Sequence, residues 1–85
     1  MKLKISVYPN PAKDQLFIQF PELSTQPHAS SISISDQIGR AYGVNAIWHQ
    51  VNSSLEIDFS TMTTGLYIIR VRTERGMQTL KVNKE

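Results

Sequence analysis

Residues 65–83, GLYIIRVRTERGMQTLKVN, read as two strands folded back on each other. Ile69 and Val71 on one arm, and Leu80 and Val82 on the other, recur at every second position, the period of a half-buried strand. A two-residue turn at Arg75-Gly76 would set Ile69 against Val82 and Val71 against Leu80, so that both facing pairs are apolar. The same register sets Arg70 opposite Lys81, with Arg72 beside them, although like charges placed directly opposite are destabilising. That face is therefore expected to be basic and exposed to solvent. From Gly65 to Glu85 five basic residues (Arg70, Arg72, Arg75, Lys81, Lys84) stand against two acidic ones (Glu74, Glu85), so the positive charge of the chain gathers in its tail.

Upstream, the same period-two pattern returns in Leu16, Ile18 and Phe20, in Ile32 and Ile34, and in Leu55, Ile57 and Phe59. No apolar stripe of helical period is sustained, and β-branched and aromatic residues dominate the runs. Turn-forming clusters separate them at Pro9-Asn10-Pro11, Gln26-Pro27-His28, Ile38-Gly39-Arg40, Val51-Asn52-Ser53, Met62 to Gly65 and Arg75-Gly76. The pattern predicts an all-β antiparallel sandwich of about seven strands, at 4–8, 14–20, 31–37, 41–50, 53–59, 65–73 and 77–83. A short helical turn is expected at Ser60 to Thr64. Gly43 interrupts the fourth strand and marks a bulge or a split.

Composition narrows the function. Eighty-five residues make one domain with a single core, too small for a roomy buried active site. A hydrophobic share of 40% with 19% charged residues describes a folding chain. The net charge of +2 comes with no Lys/Arg run of the kind that follows a phosphate backbone, so nucleic acid is not an expected partner. No cysteine is present, which excludes disulfides, thiolate metal sites and thiol catalysis. Neither an export signal nor a membrane-inserting span is read in these residues.

The remaining candidates for chemistry have plain alternatives. His28 and His49 lack the spacing of metal ligands, and no cofactor or metal is expected. Glu56 and Asp58 lie two apart on the outward face of a strand, whereas acid/base pairs work across a cleft. No nucleophile elbow or phosphate loop occurs, so no enzyme is expected. Trp48 and Tyr42, with Tyr8 and Tyr67, could form a carbohydrate platform or fill the core. The basic strip Arg70, Arg72 and Lys81 could dock an acidic partner or blunt a sheet edge. In Tyr8-Pro9-Asn10-Pro11 each proline fixes its own φ and biases its predecessor toward extended geometry, which makes a stiff corner before the next strand.

Three stretches taken together resemble a known family: VYPNPAKDQLFIQF at 7–20, DFSTMTTGLYIIRV at 58–71, and Gly76 with Lys81 near the end. Their order and spacing are similar to those of the type A C-terminal sorting domain of the type IX (Por) secretion system of Bacteroidetes, over essentially the whole chain. The family's motif positions fall here on Tyr8, Pro9, Asn10 and Pro11, on Asp58, Gly65 and Tyr67, and on Gly76 and Lys81. Met62, Thr63-Thr64 and the lone Lys81 depart from the commoner family residues, with Lys84 as a stand-in for a second terminal lysine.

The resemblance implies an immunoglobulin-like sandwich spanning 1–85 as a single domain, with 1–5 as linker or strand start. It would form the end of a larger secreted cargo protein. It further implies passage through the periplasm to the cell surface or the medium, with the type IX translocon, its shuttle protein and a sortase-like peptidase as partners. Arg70, Arg72, Lys81, Val82 and Lys84 are the expected translocon-facing residues. A carbohydrate-binding module using Trp48 or Tyr42, and a structural immunoglobulin-like spacer of a surface protein, are the alternatives.

Overall fold

In the computed structural model the described residues are 5–20, 31–73 and 76–85. Alternating side chains build eight strands: β1 (Ser6–Tyr8), β2 (Gln15–Gln19), β3 (Ile32–Asp36), β4 (Ala41–Tyr42), β5 (Ala46–His49), β6 (Ser54–Asp58), β7 (Gly65–Thr73) and β8 (Gly76–Lys84). They form two four-stranded sheets, ordered β1-β2-β6-β5 and β4-β3-β7-β8, and neighbouring strands within each sheet are antiparallel. This is the order of an immunoglobulin sandwich with one short additional strand beside β3.

The core lies where the two inner faces meet. Leu16, Ile18, Phe20, Leu55, Ile57 and Phe59 come from one sheet and its margins; Ile32, Ile34, Tyr67, Ile69, Val71 and Val82 come from the other. All are buried. Each such side chain stabilises the fold by roughly 1.5–3 kcal/mol relative to leaving it in water.

The expected fourth strand, 41–50, is corrected to two strands on opposite sheets. Tyr42 pairs with Ile34 in one sheet, whereas Ala46 pairs with Ile57 in the other. The chain crosses the side of the sandwich at Gly43 to Asn45, the split that Gly43 marked. Tyr42, Val44, Ala46 and Trp48 all pack against the core, so the period of two runs unbroken through the crossover while the partners change. The strand ends abruptly at a single 3₁₀ turn, Gln50–Asn52, followed by Ser53 at φ 52°. Ser60 to Thr64 forms no helix; a Met62 N–H donates to the Phe59 carbonyl at 3.0 Å and closes a turn.

The register of the final hairpin is also corrected, by two residues. Ile69 faces Leu80 and Tyr67 faces Val82, and the pairing runs on to Thr73 opposite Gly76. A slip of two keeps every side chain on its face, and both registers pair apolar residues inside. The outer face decides between them. Arg70 lies opposite Thr79 and Lys81 opposite Ile68, which removes the direct cation pair of the other register. The expected turn at Gln26 to His28, His28 itself and Arg75 lie outside the described residues.

Candidate functional site: a clasped terminal strand beside a basic face

Tyr8 ends β1 by stacking on Phe17 across the strand pair, with ring centroids 5.4 Å apart. Pro9 and Pro11, both preceded by cis peptide bonds, then carry the chain out of the first sheet and over to the edge of the second. There Ala12 makes a parallel bridge with Lys84. The Ala12 N–H donates to the Asn83 carbonyl and the Glu85 N–H donates to the Ala12 carbonyl, each at 2.7 Å. Asn10 adds its side chain to the same contact. Its Oδ1 accepts from the Asn83 N–H at 3.1 Å and its Nδ2 donates to the Lys81 carbonyl at 3.5 Å. Proline suits 9 and 11 because it offers no donor, and the ladder needs its donor at Ala12. Ala12 is sealed at 0% exposure. The first motif is therefore a clasp on the last strand, joining residues more than seventy positions apart.

The second motif builds a corner. Asp58 Oδ1 accepts from the Ser60 hydroxyl at 2.6 Å and from the Ser60 N–H at 2.9 Å, and these bonds hold the carboxyl below its ordinary pKa. Gly65, at φ +154°, begins β7. Two residues on, the Tyr67 hydroxyl donates to the Thr63 carbonyl at 2.6 Å, and its ring lies edge-on to Phe59 and Tyr42. A tyrosine near the start of this strand bonding back a few residues is the tyrosine corner of immunoglobulin sandwiches. Gly76, at φ +117°, is exposed where β8 begins. Substituting either glycine strains the backbone, although a Cβ would meet nothing there.

Reading the chain for motifs missed a hub at Asp36. Its Oδ1 accepts from the Ile38 and Arg40 N–H groups, and its Oδ2 from Arg40 Nε and the Tyr42 hydroxyl at 2.8 Å each. Burial pushes this carboxyl up, but the bonds from Tyr42 and Arg40 and the Arg40 charge outweigh it and hold the pKa at about 2 instead of 3.8. A folded value below the unfolded one means stabilisation that is complete above the unfolded pKa and lost as pH falls through about 2. Thermal melts should therefore drop between pH 4 and pH 2. Asp58 shifts in the same direction, so Asp36→Asn isolates the hub: it should melt lower at pH 5 and lose part of the acid-induced drop. An unchanged melt at pH 5 would assign the hub no stabilising role.

The expected recognition residues separate on folding. Arg70, Arg72 and Lys81 are exposed together on the outer face of the second sheet. Lys84 is half-buried at the clasped end, its Nζ donating to the Glu85 carbonyl at 3.2 Å. Val82, paired inward in the sequence reading and also named among the translocon-facing residues, lies in the core at 0% exposure. Trp48 and Tyr42 both turn inward: Trp48 packs near Phe20 and donates to Gln50, and Tyr42 is held by Asp36.

Glu56 has both oxygens engaged, by His49 Nε2 at 2.9 Å and Gln15 Nε2 at 2.7 Å. It lines a shallow, open groove of about 310 Å³ with Asp58, Asp14 and Ile47. Among the described residues no group of three histidine or acidic side chains converges as a metal site, and no helix is long and apolar enough to cross a membrane.

A sandwich whose first turn clasps its last strand, with a tyrosine corner and a basic outer face, is an immunoglobulin-like β domain by architecture. More particularly, the chain belongs to the secretion system C-terminal sorting domain family, whose model matches residues 6–85. No curated protein and no solved structure matches the chain. Membership makes it a C-terminal sorting signal of type IX secretion, which directs export to the cell surface or the extracellular space, and places it outside the enzyme families.

Proposed function

We propose that the domain acts as a folded address. A cargo attached at its N-terminus would be carried from the periplasm through the type IX translocon with its shuttle protein. A sortase-like peptidase would then cut upstream of Tyr8-Pro9-Asn10-Pro11. The observation that carries the reading is the outer face of the second sheet, where Arg70, Arg72 and Lys81 gather with no carboxylate among the strand residues of that face. Such a face attracts an acidic partner surface and speeds encounter. Lys84 extends the positive charge to the clasped end.

The test is a fluorescent reporter with an exported signal peptide, fused ahead of residues 1–85, in a host with and without a working translocon. Translocon-dependent reporter outside the cell is expected. Arg70→Gln, Arg72→Gln and Lys81→Gln combined should reduce it at least tenfold while moving the melting temperature by no more than a few degrees, since exposed charges contribute about 0–1 kcal/mol each. Full export by the folded triple variant would remove the recognition role from this face.

A further inference from the structure

Strand β8 is the edge of its sheet, and the clasp covers only its final part. Asn83 turns both its N–H and its C=O away from β7, toward Asn10 and Ala12. Antiparallel alternation then turns the main-chain groups of Met77 and Thr79 the same way. Among the described residues no backbone group meets them. The chain that runs beside Asn83 and Lys84 would reach this stretch if it continued, but it leaves at Pro9 for the first sheet.

The lane left open is that of the outward main-chain groups of Met77 and Thr79, a stretch of three residues or roughly 10 Å of edge. An open edge is ordinarily blunted by a charge or a proline on the strand itself. GMQTL has neither, and Met77 is 51% exposed. The cations lie beside the lane instead: Lys81 just past it and Arg70 and Arg72 one strand further in, opposite Thr79 and Met77.

We propose that this edge takes up an extended strand of a partner polypeptide that carries acidic side chains at alternate positions, hydrogen-bonded to the main chain of Met77 and Thr79. The bridge at Ala12 shows that the same edge already accepts a strand. Main-chain bonds would supply affinity and the alternate side chains selectivity. A second copy of this chain is the disfavoured occupant, because it would bring the same three cations alongside. The inference rests on the recognition reading above only for which protein supplies the strand.

Amide hydrogen exchange of the 85-residue chain tests it. The probe is an octapeptide of alternating glutamate and valine, with an alternating lysine and valine octapeptide as the control. The acidic peptide should slow exchange at Met77 and Thr79 at least tenfold, and the basic one should not. Thr79→Pro deletes an outward N–H without touching the β7 ladder, and should weaken binding at least tenfold, as should the triple glutamine variant.

Absence of binding at millimolar acidic peptide, or equal protection by the basic one, would overturn the proposal. Protection that rises with protein concentration alone would overturn it in favour of self-pairing. Lost export by the triple variant without peptide binding would leave the recognition face standing and remove strand addition. Peptide binding with normal export would do the reverse.

Discussion

Replacing Tyr67 by alanine should cost about 3–5 kcal/mol, the range for deleting a large buried aromatic side chain. Domains of this size have about 5–15 kcal/mol in all, so the variant will be close to unfolded at growth temperature. Tyr67→Phe separates the ring from the hydroxyl. Phenylalanine keeps the edge contacts with Phe59 and Tyr42 and loses the hydroxyl's bonds to Thr63, at 2.6 Å to the carbonyl and 3.2 Å to the side-chain hydroxyl. Because Thr63 is exposed, water can replace that donor, and the loss falls near 1 kcal/mol, the typical net worth of one hydrogen bond. At roughly 4–8 °C per kcal/mol for a domain of this length, the phenylalanine variant should melt within about 8 °C of the parent and the alanine variant at least 12 °C below it. Calorimetry of the two decides. If phenylalanine proves as damaging as alanine, the corner is held by its hydrogen bond and not by its ring.

That contrast bears on what the family motifs are for. Tyr8 to Pro11, Asp58, Gly65, Tyr67 and Gly76 shape the fold, whereas Lys81 is the one motif side chain that stands on the basic outer face. A domain that folds on its own gains by tying its first described turn to its last strand, because Ala12 and the end of β8 are then held to each other by main-chain bonds.

How much of this was legible depends on range. The alternation of Leu16-Ile18-Phe20 or Leu55-Ile57-Phe59 is written locally, so strand existence and inward faces could be read directly. Pairing is not local. Residues 41–50 read as one strand because Tyr42, Val44, Ala46 and Trp48 keep one period while the partner strand changes from β3 to β6. The hairpin register was ambiguous by two because parity is the only constraint that apolar patterning imposes. Charge opposition at Arg70 and Lys81 carried the information that selects the observed register. The clasp had no signal at all in composition or period, since Asn10 and Asn83 are distant polar residues on exposed chain. Resemblance could name Asn10 as a motif position, yet only the fold shows what it bonds. Asp36 was passed over for a related reason: a carboxylate four residues before an arginine is common, and its capture of Tyr42 depends on β4 folding back onto β3.

The clasp should yield to one buried charge. Ala12 has no exposed surface, and Ala12→Asp would force a carboxylate into that sealed position. The expected cost is on the order of 3 kcal/mol, through desolvation of the charge or uptake of a proton to avoid it. Asn10→Ala acts on the same contact more gently. It removes an acceptor at 3.1 Å and a long donor contact at 3.5 Å in an exposed place, for about 1 kcal/mol. Hydrogen exchange distinguishes loss of the clasp from loss of the fold. In Asn10→Ala the Asn83 amide, whose acceptor is the Asn10 side chain, should exchange at least tenfold faster, whereas Glu85, which donates to the Ala12 carbonyl, should change less. In Ala12→Asp both should lose protection while Ile18 and Ile69, deep in the two sheets, stay protected to within the global change. If Ile18 and Ile69 open together with Asn83 in the mild variant, the clasp is no local latch. The terminal strand would then be part of the cooperative core, and its recognition during export would require the domain to be read as a folded whole.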